Sequence, residues 1–135
     1  MNVRLASGQD LQSLHQHDRH IAADMLSRKI ADGQLLVAEE DGTFVGWLRY
    51  NFFWDEIPFM NLLYVLEPYQ HRGIGTALVR EWEKRMLAAG YDKVMTSTLE
   101  EETAQHFYRK LGYRDLGKFM PFAEEYELIF GKYLE

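Results

Sequence analysis

The feature that most constrains this sequence is the hexapeptide at residues 70–75, Gln-His-Arg-Gly-Ile-Gly, which lies between a strand-like apolar run and a helix-like run. Two glycines one residue apart allow the backbone to turn sharply and leave its N–H groups uncovered. A helix that begins directly afterwards points its free N–H groups and the positive end of its dipole at the same place. The hexapeptide therefore predicts an anion site built mostly from main chain and suited to a phosphate or pyrophosphate.

The flanking sequence predicts how this loop is held. Alternating apolar positions indicate strands, and apolar positions three or four apart indicate helices. The dipeptide Asp41-Gly42 between two β-rich runs predicts a hairpin. Strands are predicted at residues 3–6, 35–39, 43–53, 59–66, 93–99, 113–116 and 126–130, and helices within 8–32 and over 73–89 and 101–111. This order of elements predicts an α+β fold, a mixed α/β sandwich with helices on a largely antiparallel sheet.

Length and composition limit the classes of function. The 135 residues suit one hydrophobic core, so we expect a single domain over residues 1–135. The net charge of −6 disfavours binding to nucleic acid or to an anionic membrane surface. The chain has no cysteine, which excludes a covalent thiol intermediate. It contains no apolar run of the length of a signal peptide or a membrane span, and we therefore expect a cytoplasmic protein.

Other loops with paired glycines fit this sequence less well. A P-loop requires Lys and then Ser or Thr after its last glycine, whereas Gly75 is followed by Thr76 and Ala77. A dinucleotide-binding fingerprint requires a third glycine or alanine at the position of Leu78. A role for the two glycines in packing alone stays open at this point. The donors that flank the loop favour an anion site; they are Gln70, His71, Arg72 and Thr76.

Two segments together resemble the GNAT superfamily of N-acyltransferases. Residues 62–75 resemble its acyl-CoA site, whose signature Gln/Arg-x-x-Gly-x-Gly/Ala follows the fourth strand. Residues 104–113, Ala-Gln-His-Phe-Tyr-Arg-Lys-Leu-Gly-Tyr, are similar to the family pattern Ala-x-x-Phe-Tyr-x-Lys-x-Gly-Phe/Tyr. The order of elements also matches over nearly the whole chain. One departure is Glu101, which stands where the family often has Asn.

The resemblance implies a sheet of six to seven strands with splayed fourth and fifth strands, flanked by about four helices. It implies acetyl-CoA as the acyl-donor cosubstrate, with the pyrophosphate held by loop N–H groups and the pantetheine paired with the exposed fourth strand. The N–H of Val65 is then the implied donor to the thioester carbonyl. The residues implied in coenzyme binding are Tyr64, Val65, Leu66, Gln70, His71, Arg72, Gly73, Ile74, Gly75, Thr76 and Tyr108.

Acyl transfer from a thioester to an amine also needs a base for the amine and a proton or hydrogen bond for the departing thiolate. Tyr108 is predicted to act on the thiolate, although its helical spacing alone would make it a core aromatic. Trp54, Asp55 and Glu56 lie between the third and fourth strands, where the family places acceptor-site residues. Carboxylates beside an aromatic ring can attract a cationic amine. We predict Glu56 as the base, with a solvated turn as the alternative.

No metal site is predicted, because the histidines His15, His17 and His20 form no carboxylate–histidine pattern and the first two would point to nearly opposite faces of a helix. The leading hypothesis is an N-acetyltransferase that moves an acetyl group from acetyl-CoA to a primary amine of a small molecule or protein by direct attack. Two alternatives stay open: a non-catalytic acyl-CoA-binding module, and an interaction domain that packs aromatic strand residues against a partner. The resemblance also implies a possible homodimer.

Overall fold

The structure is a computed structural model that describes residues 1–122 and 125–135. Within these residues the strands are β1 (Asn2–Leu5), β2 (Leu35–Glu40), β3 (Thr43–Phe53), β4 (Ile57–Val65), β5 (Lys93–Leu99), β6 (Arg114–Phe119) and β7 (Glu127–Tyr133). The α-helices are α1 (Leu11–His17), α2 (Ala23–Ala31), α3 (Ile74–Ala88) and α4 (Ala104–Lys110). Short 3-10 helices lie at Gly8–Asp10 and Glu67–Tyr69.

The strands follow the order β1-β2-β3-β4-β5-β7-β6 in the sheet. The ladders β1–β2, β2–β3, β5–β7 and β6–β7 are antiparallel. The ladder between β4 and β5 is parallel and joins Phe59 to Met95 and Met60 to Thr96. This architecture confirms the predicted mixed α/β fold with a mostly antiparallel sheet. The bounds of β3 and β5 are the predicted ones, and region 8–32 contains two α-helices.

The described residues form two compact units. The first unit consists of Met1–Tyr50 and Leu62–Trp82, and the second unit consists of Asn51–Asn61 and Glu83–Glu135. Each of β3, β4 and α3 contributes residues to both units. A single functional domain over residues 1–135 stays a prediction. Across the described ranges, no helix is both long enough and apolar enough to cross a membrane.

The first unit has a core of apolar side chains from α1, α2, β2 and β3. Helix α2 stops at the predicted glycine, because Gly33 adopts a φ of 69° that few other residues tolerate. The N–H of Gly33 then donates to the Ile30 carbonyl (3.2 Å), and the N–H of Gln34 donates to the Lys29 carbonyl (2.9 Å). The fully or nearly fully buried members of the core are Leu14, Leu26, Leu35, Val37 and Trp47.

A buried ion pair joins the end of α1 to β3 in the first unit. The Asp18 carboxylate accepts hydrogen bonds from Arg49 Nε (2.7 Å) and Trp47 Nε1 (3.0 Å), and also from the main-chain N–H of His20 (3.2 Å). Asp18 and Arg49 are 3% and 8% exposed. Burial by itself would raise the pKa of Asp18, but the hydrogen bond and the charge of Arg49 outweigh it and hold that pKa below its usual value.

The second unit packs α4 and the end of α3 against β5 and β7. The carboxylate of Glu83 on α3 is buried and accepts a hydrogen bond from the Tyr113 hydroxyl (2.8 Å). Lys132 Nζ donates to the same carboxylate at 3.1 Å. Both partners satisfy a charge that would otherwise be costly to bury. The buried apolar side chains of this unit include Met60, Val94, Tyr108, Leu111 and Phe130.

Candidate functional site

The loop predicted to bind an anion lies in the first unit and leads directly into α3. His71 and Gly73 have φ values of 66° and 85°, in the left-handed region. The first hydrogen bond of the helical pattern in α3 runs from the N–H of Ala77 to the Gly73 carbonyl (3.0 Å). The N–H groups of residues 74–76 precede it and take no part in that pattern. Successive N–H groups in such a turn form an anion-binding concavity. The left-handed conformation costs a non-glycine residue such as His71 roughly 1–2 kcal/mol of folding free energy, and residues strained in this way cluster at ligand sites.

One cationic side chain borders this loop. Arg72 is exposed, and its guanidinium lies over the Tyr69 ring, 5.3 Å from the ring centroid. Its Nη1 is 3.6 Å from Glu40 Oε2, in an ion pair whose arginine side chain is 55% exposed. Such an exposed pair is worth little. The guanidinium therefore stays available to an anion bound at the loop.

The side chain of Gln70 fixes the end of β4. Gln70 Nε2 donates to the Val65 carbonyl (2.8 Å), and the N–H of Leu66 donates to the Val45 carbonyl on β3 (2.8 Å). The carbonyl and the N–H of one trans peptide point in opposite directions, so the Val65 carbonyl points away from β3. In an extended strand the N–H of a residue lies on the same edge as its carbonyl. The N–H of Val65, the predicted oxyanion donor, therefore lies on the edge of β4 that faces away from β3.

The neighbouring backbone of β3 approaches this part of β4 closely. A Cβ at Gly46 would lie 2.9 Å from the Tyr64 carbonyl oxygen and 3.5 Å from Val65 Cα, so only glycine fits without a shift. The Tyr64 ring packs against Trp47, with ring centroids 5.3 Å apart. Leu66 packs against the core of the first unit. The side chains on both sides of Val65 are thus held by packing within the first unit.

Tyr108 belongs to the second unit and is 6% exposed. Its ring meets Tyr113 edge to face at 5.7 Å and lies tilted against Phe130 at 6.1 Å. Its hydroxyl shares a hydrogen bond with the hydroxyl of Thr96, which itself donates to the Met60 carbonyl (2.9 Å). The residue is therefore both a packed core aromatic and the carrier of an oriented hydroxyl group.

Burial raises the pKa of Tyr108 to about 12. The hydrogen bond with Thr96 opposes this shift, and the negative charge of Glu102 adds to it. The phenol is therefore neutral at physiological pH, and it can donate a hydrogen bond but does not act as a base.

A cavity of about 650 Å³ opens on the second unit. This volume falls in the range of pockets that bind small molecules. Polar groups occur at two places on its surface: Asn61 Nδ2 donates to Asn51 Oδ1 (2.7 Å), and Ser97 Oγ donates to Glu127 Oε1 (3.3 Å). The apolar part of the wall consists mainly of Phe53, Trp54, Phe59, Met95 and Ile129.

Strand register separates this cavity from Tyr108. Side chains alternate between the two faces of a strand, and residues paired across a ladder share a face. Ser97 pairs with Ile129, and both line the cavity. Thr96 pairs with Phe130 on the other face, where both contact Tyr108. The phenol and the cavity therefore lie on opposite faces of the sheet in the second unit.

The turn at 54–56 contributes one of its three predicted acceptor residues to the cavity wall. Trp54 is 74% exposed, packs against Phe53 at 4.7 Å, and lines the cavity. Trp54 and Asp55 both adopt left-handed φ values, of 56° and 59°. Asp55 and Glu56 are exposed and are not among the described residues that line the cavity. Their predicted roles in acceptor binding and as the base stay predictions.

Comparison with known proteins decides the family. The model of the acetyltransferase (GNAT) family matches residues 5–113 of the 135. The chain belongs to the GNAT acetyltransferase family. Membership indicates an acetyltransferase, and it confirms the resemblance inferred from residues 62–75 and 104–113. No protein of curated function matches the sequence.

Solved structures of GNAT acetyltransferases share the fold of this chain. A GNAT-family acetyltransferase from Bacillus cereus ATCC 10987 is 24% identical, with a TM-score of 0.82 over 99% of this chain and 97% of that chain. Ribosomal-protein-alanine N-acetyltransferase from Brucella melitensis is 20% identical, with a TM-score of 0.84 over 99% and 100%. PaiA N-acetyltransferase from Thermoplasma acidophilum, crystallised with coenzyme A, is 20% identical, with a TM-score of 0.81 over 98% of each chain.

Three features of this GNAT chain were not found by sequence reasoning. The contact from Gln70 to the Val65 carbonyl depends on how the loop folds back on β4. The close approach at Gly46 depends on the pairing of β3 with β4. Glu127 reaches the cavity only through the register of β7 with β5. Within the described ranges, no group of three or more His, Cys, Asp or Glu residues is placed to hold a metal ion.

Proposed function

We propose that this protein transfers the acetyl group of acetyl-CoA to a primary amine by direct attack. The observation that carries the proposal is the loop that opens α3, in which left-handed His71 and Gly73 precede N–H groups with no partner in the helical repeat. A chain of net charge −6 needs such local donors to hold a pyrophosphate. The coenzyme A complex of PaiA N-acetyltransferase, which has the same fold, supports coenzyme A as the ligand.

In the proposed complex, main-chain N–H groups hold acetyl-CoA and polarise the carbonyl group of its thioester. In this proposal the N–H groups from His71 to Thr76 bind the pyrophosphate, and the Arg72 guanidinium adds positive charge. The N–H of Val65 donates to the thioester carbonyl, where negative charge develops in the transition state. Gln70 supports this arrangement, because its bond to the Val65 carbonyl holds the peptide plane and hence the edge on which the N–H lies.

The chemical step is a substitution at the thioester carbonyl. The substrate ammonium first loses one proton, through water, to the predicted base Glu56. The amine nitrogen then attacks the carbonyl carbon, the new C–N bond forms, and the C–S bond breaks to release the coenzyme A thiolate. The new amide loses a second proton. Two protons leave the nitrogen and the thiolate takes up one proton from solvent, so the reaction releases one proton overall. No cysteine is present to carry the acyl group, which favours the direct route.

Tyr108 acts on the departing sulfur in this proposal. Its pKa of about 12 exceeds that of a thiol, about 8.5, so complete proton transfer from phenol to thiolate is uphill by about 5 kcal/mol. A hydrogen bond from the phenol to the thiolate needs no such transfer, but the single phenol O–H must turn to sulfur from Thr96 Oγ1, whose own hydrogen is donated to the Met60 carbonyl. Tyr108 therefore stabilises the leaving group by hydrogen bonding, and the proton that finally resides on sulfur comes from solvent.

Two measurements test the proposal. Calorimetric titration with coenzyme A should show binding, and a steady-state assay of thiol release over a panel of amines should show turnover with an acetylated product of the expected mass. No uptake at millimolar coenzyme would refute the proposal at its first step. Uptake without thiol release for any amine would favour the alternative of a non-catalytic acyl-CoA-binding module.

The base has its own test. Glu56→Gln should lose activity at neutral pH and regain it at high pH, where a larger fraction of the amine is neutral in solution. An unchanged pH–rate profile in this variant would remove Glu56 from the mechanism.

A further inference from the structure

We propose that the cavity of the second unit is the acceptor site, and that it takes a primary amine carrying an aromatic or branched aliphatic body, with the ammonium bound by Glu127. The inference rests on the proposed function, because it names the substrate class of the same reaction. It differs from the sequence prediction, in which the carboxylates of the turn at 54–56 receive the amine.

The walls of the cavity determine the body of the ligand. Phe53, Trp54 and Phe59 present aromatic rings, and Met95 and Ile129 add flexible and branched aliphatic surface. The rings of Phe53 and Phe59 are stacked at 6.1 Å. A volume of about 650 Å³ is far larger than a short alkylamine needs. A small polar amine would leave this apolar surface in contact with water, whereas an aromatic or branched body covers it.

A carboxylate at the start of β7 determines the charge of the ligand. Glu127 is half-buried and pairs with Leu99 of β5 and Phe119 of β6. Ser97 Oγ donates to one of its oxygens (3.3 Å), and in the described part of the chain no ion pair includes Glu127. A half-buried carboxylate with one hydroxyl partner is a ready acceptor for the hydrogen bonds of an ammonium group.

Lys118 of β6, which pairs with Leu128 beside Glu127, is engaged with other groups. Lys118 Nζ lies 4.4 Å from the centroid of the Tyr126 ring and 3.5 Å from Glu100 Oε1. Desolvation raises the pKa of Glu127, the hydrogen bond with Ser97 opposes this, and the charge of Glu102 adds to it. A bound ammonium would remove part of that electrostatic penalty. The aromatic wall adds cation–π attraction for the same charge.

Binding to the full chain without coenzyme tests the inference separately from catalysis. The probe is 2-phenylethylamine, compared with 2-phenylethanol, which lacks the cation, and with ethylamine, which lacks the ring. Affinity is measured by calorimetry and by the fluorescence change of the exposed Trp54. We expect 2-phenylethylamine to bind about tenfold or more tighter than either comparison compound, because only it engages both the walls and the carboxylate. Equal affinity for 2-phenylethylamine and ethylamine would overturn the inference.

Two variants assign the charge recognition. Glu127→Gln keeps the shape of the side chain and should weaken 2-phenylethylamine binding by about tenfold or more, with 2-phenylethanol unaffected. Glu125→Gln is the matched control: it removes an exposed carboxylate two residues away and should change neither affinity. Thermal unfolding checks that both variants are folded. Unchanged 2-phenylethylamine affinity in folded Glu127→Gln would overturn the assignment, and an equal loss for the alcohol would overturn the charge recognition.

Turnover separates this inference from the proposed function. Acetylation of 2-phenylethylamine, with a higher KM in Glu127→Gln, supports both. Acetylation of polar amines or peptide N-termini alone would overturn the inference and leave the proposed function standing. Binding of 2-phenylethylamine with no acetyl product from any amine would overturn the proposed function and the acceptor role with it.

Discussion

The role of Tyr108 can be tested by removing one oxygen atom. Tyr108→Phe deletes the hydroxyl and leaves the ring in its contacts with Phe107, Tyr113 and Phe130. The hydroxyl's partner, Thr96, keeps its own bond to the Met60 carbonyl (2.9 Å), so the substitution leaves no buried polar group unsatisfied. The expected loss of stability is that of one ordinary hydrogen bond, about 1 kcal/mol.

The expected loss of turnover is larger than the loss of stability. A hydrogen bond to a charged group is worth about 1.5–3 kcal/mol, which corresponds to about 10- to 100-fold in rate. The negative charge on sulfur develops only as the C–S bond breaks, so kcat should fall while the KM for acetyl-CoA and the coenzyme affinity stay nearly constant. Thiol release measures the rate, and calorimetry measures the affinity.

Tyr113→Phe is the matched control for this experiment. Tyr113 is 3% exposed, lies 5.7 Å from Tyr108 and donates to Glu83 Oε2 (2.8 Å). Its loss should lower the free energy of unfolding by about 1–3 kcal/mol, because the buried carboxylate loses a partner, and should leave kcat unchanged. Two results would refute the reasoning and make Tyr108 a packing residue. One is a wild-type kcat in Tyr108→Phe. The other is a fall in kcat no larger than the fraction of the variant that is unfolded in the assay.

Five further outcomes are expected. Because the pKa of Tyr108 is about 12, the pH–rate profile should show no alkaline loss with an apparent pKa near 10. Asp18→Asn should cost about 3–5 kcal/mol in urea unfolding, since it leaves Arg49 buried without its carboxylate. The lowered pKa of Asp18 stabilises the wild type above pH about 4, so wild-type stability should fall below that pH, and less so in the variant. Gly73→Ala should weaken coenzyme binding in calorimetry. The added Cβ meets no atom within 4 Å, so the loss would come from backbone strain of about 1 kcal/mol in the left-handed conformation. Gln70→Ala should lower kcat about fivefold with little change in coenzyme affinity.

Short sequence motifs predicted the turns and helix ends whose conformation depends only on neighbouring residues. Asp41 and Gly42 adopt left-handed φ values of 50° and 79°, as a two-residue hairpin turn requires, and the predicted hairpin is confirmed. Gly33, with a left-handed φ of 69°, follows α2 and ends it as predicted. The left-handed φ of Gly73 in the loop at 70–75 is likewise a matter of backbone freedom, which glycine spacing indicates directly, and the role of the loop in binding an anion stays a prediction.

Element ends set by tertiary contacts were predicted less well. Helix α1 ends at His17 because Asp18 turns into the core to meet Arg49, a partner 31 residues away. Helix α4 begins at Ala104, three residues later than predicted. The residues before it form a turn, in which the N–H of Glu102 donates to the Leu99 carbonyl (3.0 Å) and Thr98 Oγ1 donates to the Glu102 carboxylate (3.3 Å). Periodicity alone contains no information about either contact.

The register of β5 with β7 explains why the sequence did not indicate Glu127. Ladder pairs run from Lys93 with Tyr133 to Leu99 with Glu127, and together they fix which side chains of β5 point to which face. A slip of one residue would move every side chain to the opposite face. Thr96 would then leave Tyr108, and Ser97 would leave Glu127. The placement of Tyr108, the proposed leaving-group donor, and of Glu127, the proposed partner of the amine, on opposite faces is therefore a property of strand pairing, and neither sequence segment contains it alone.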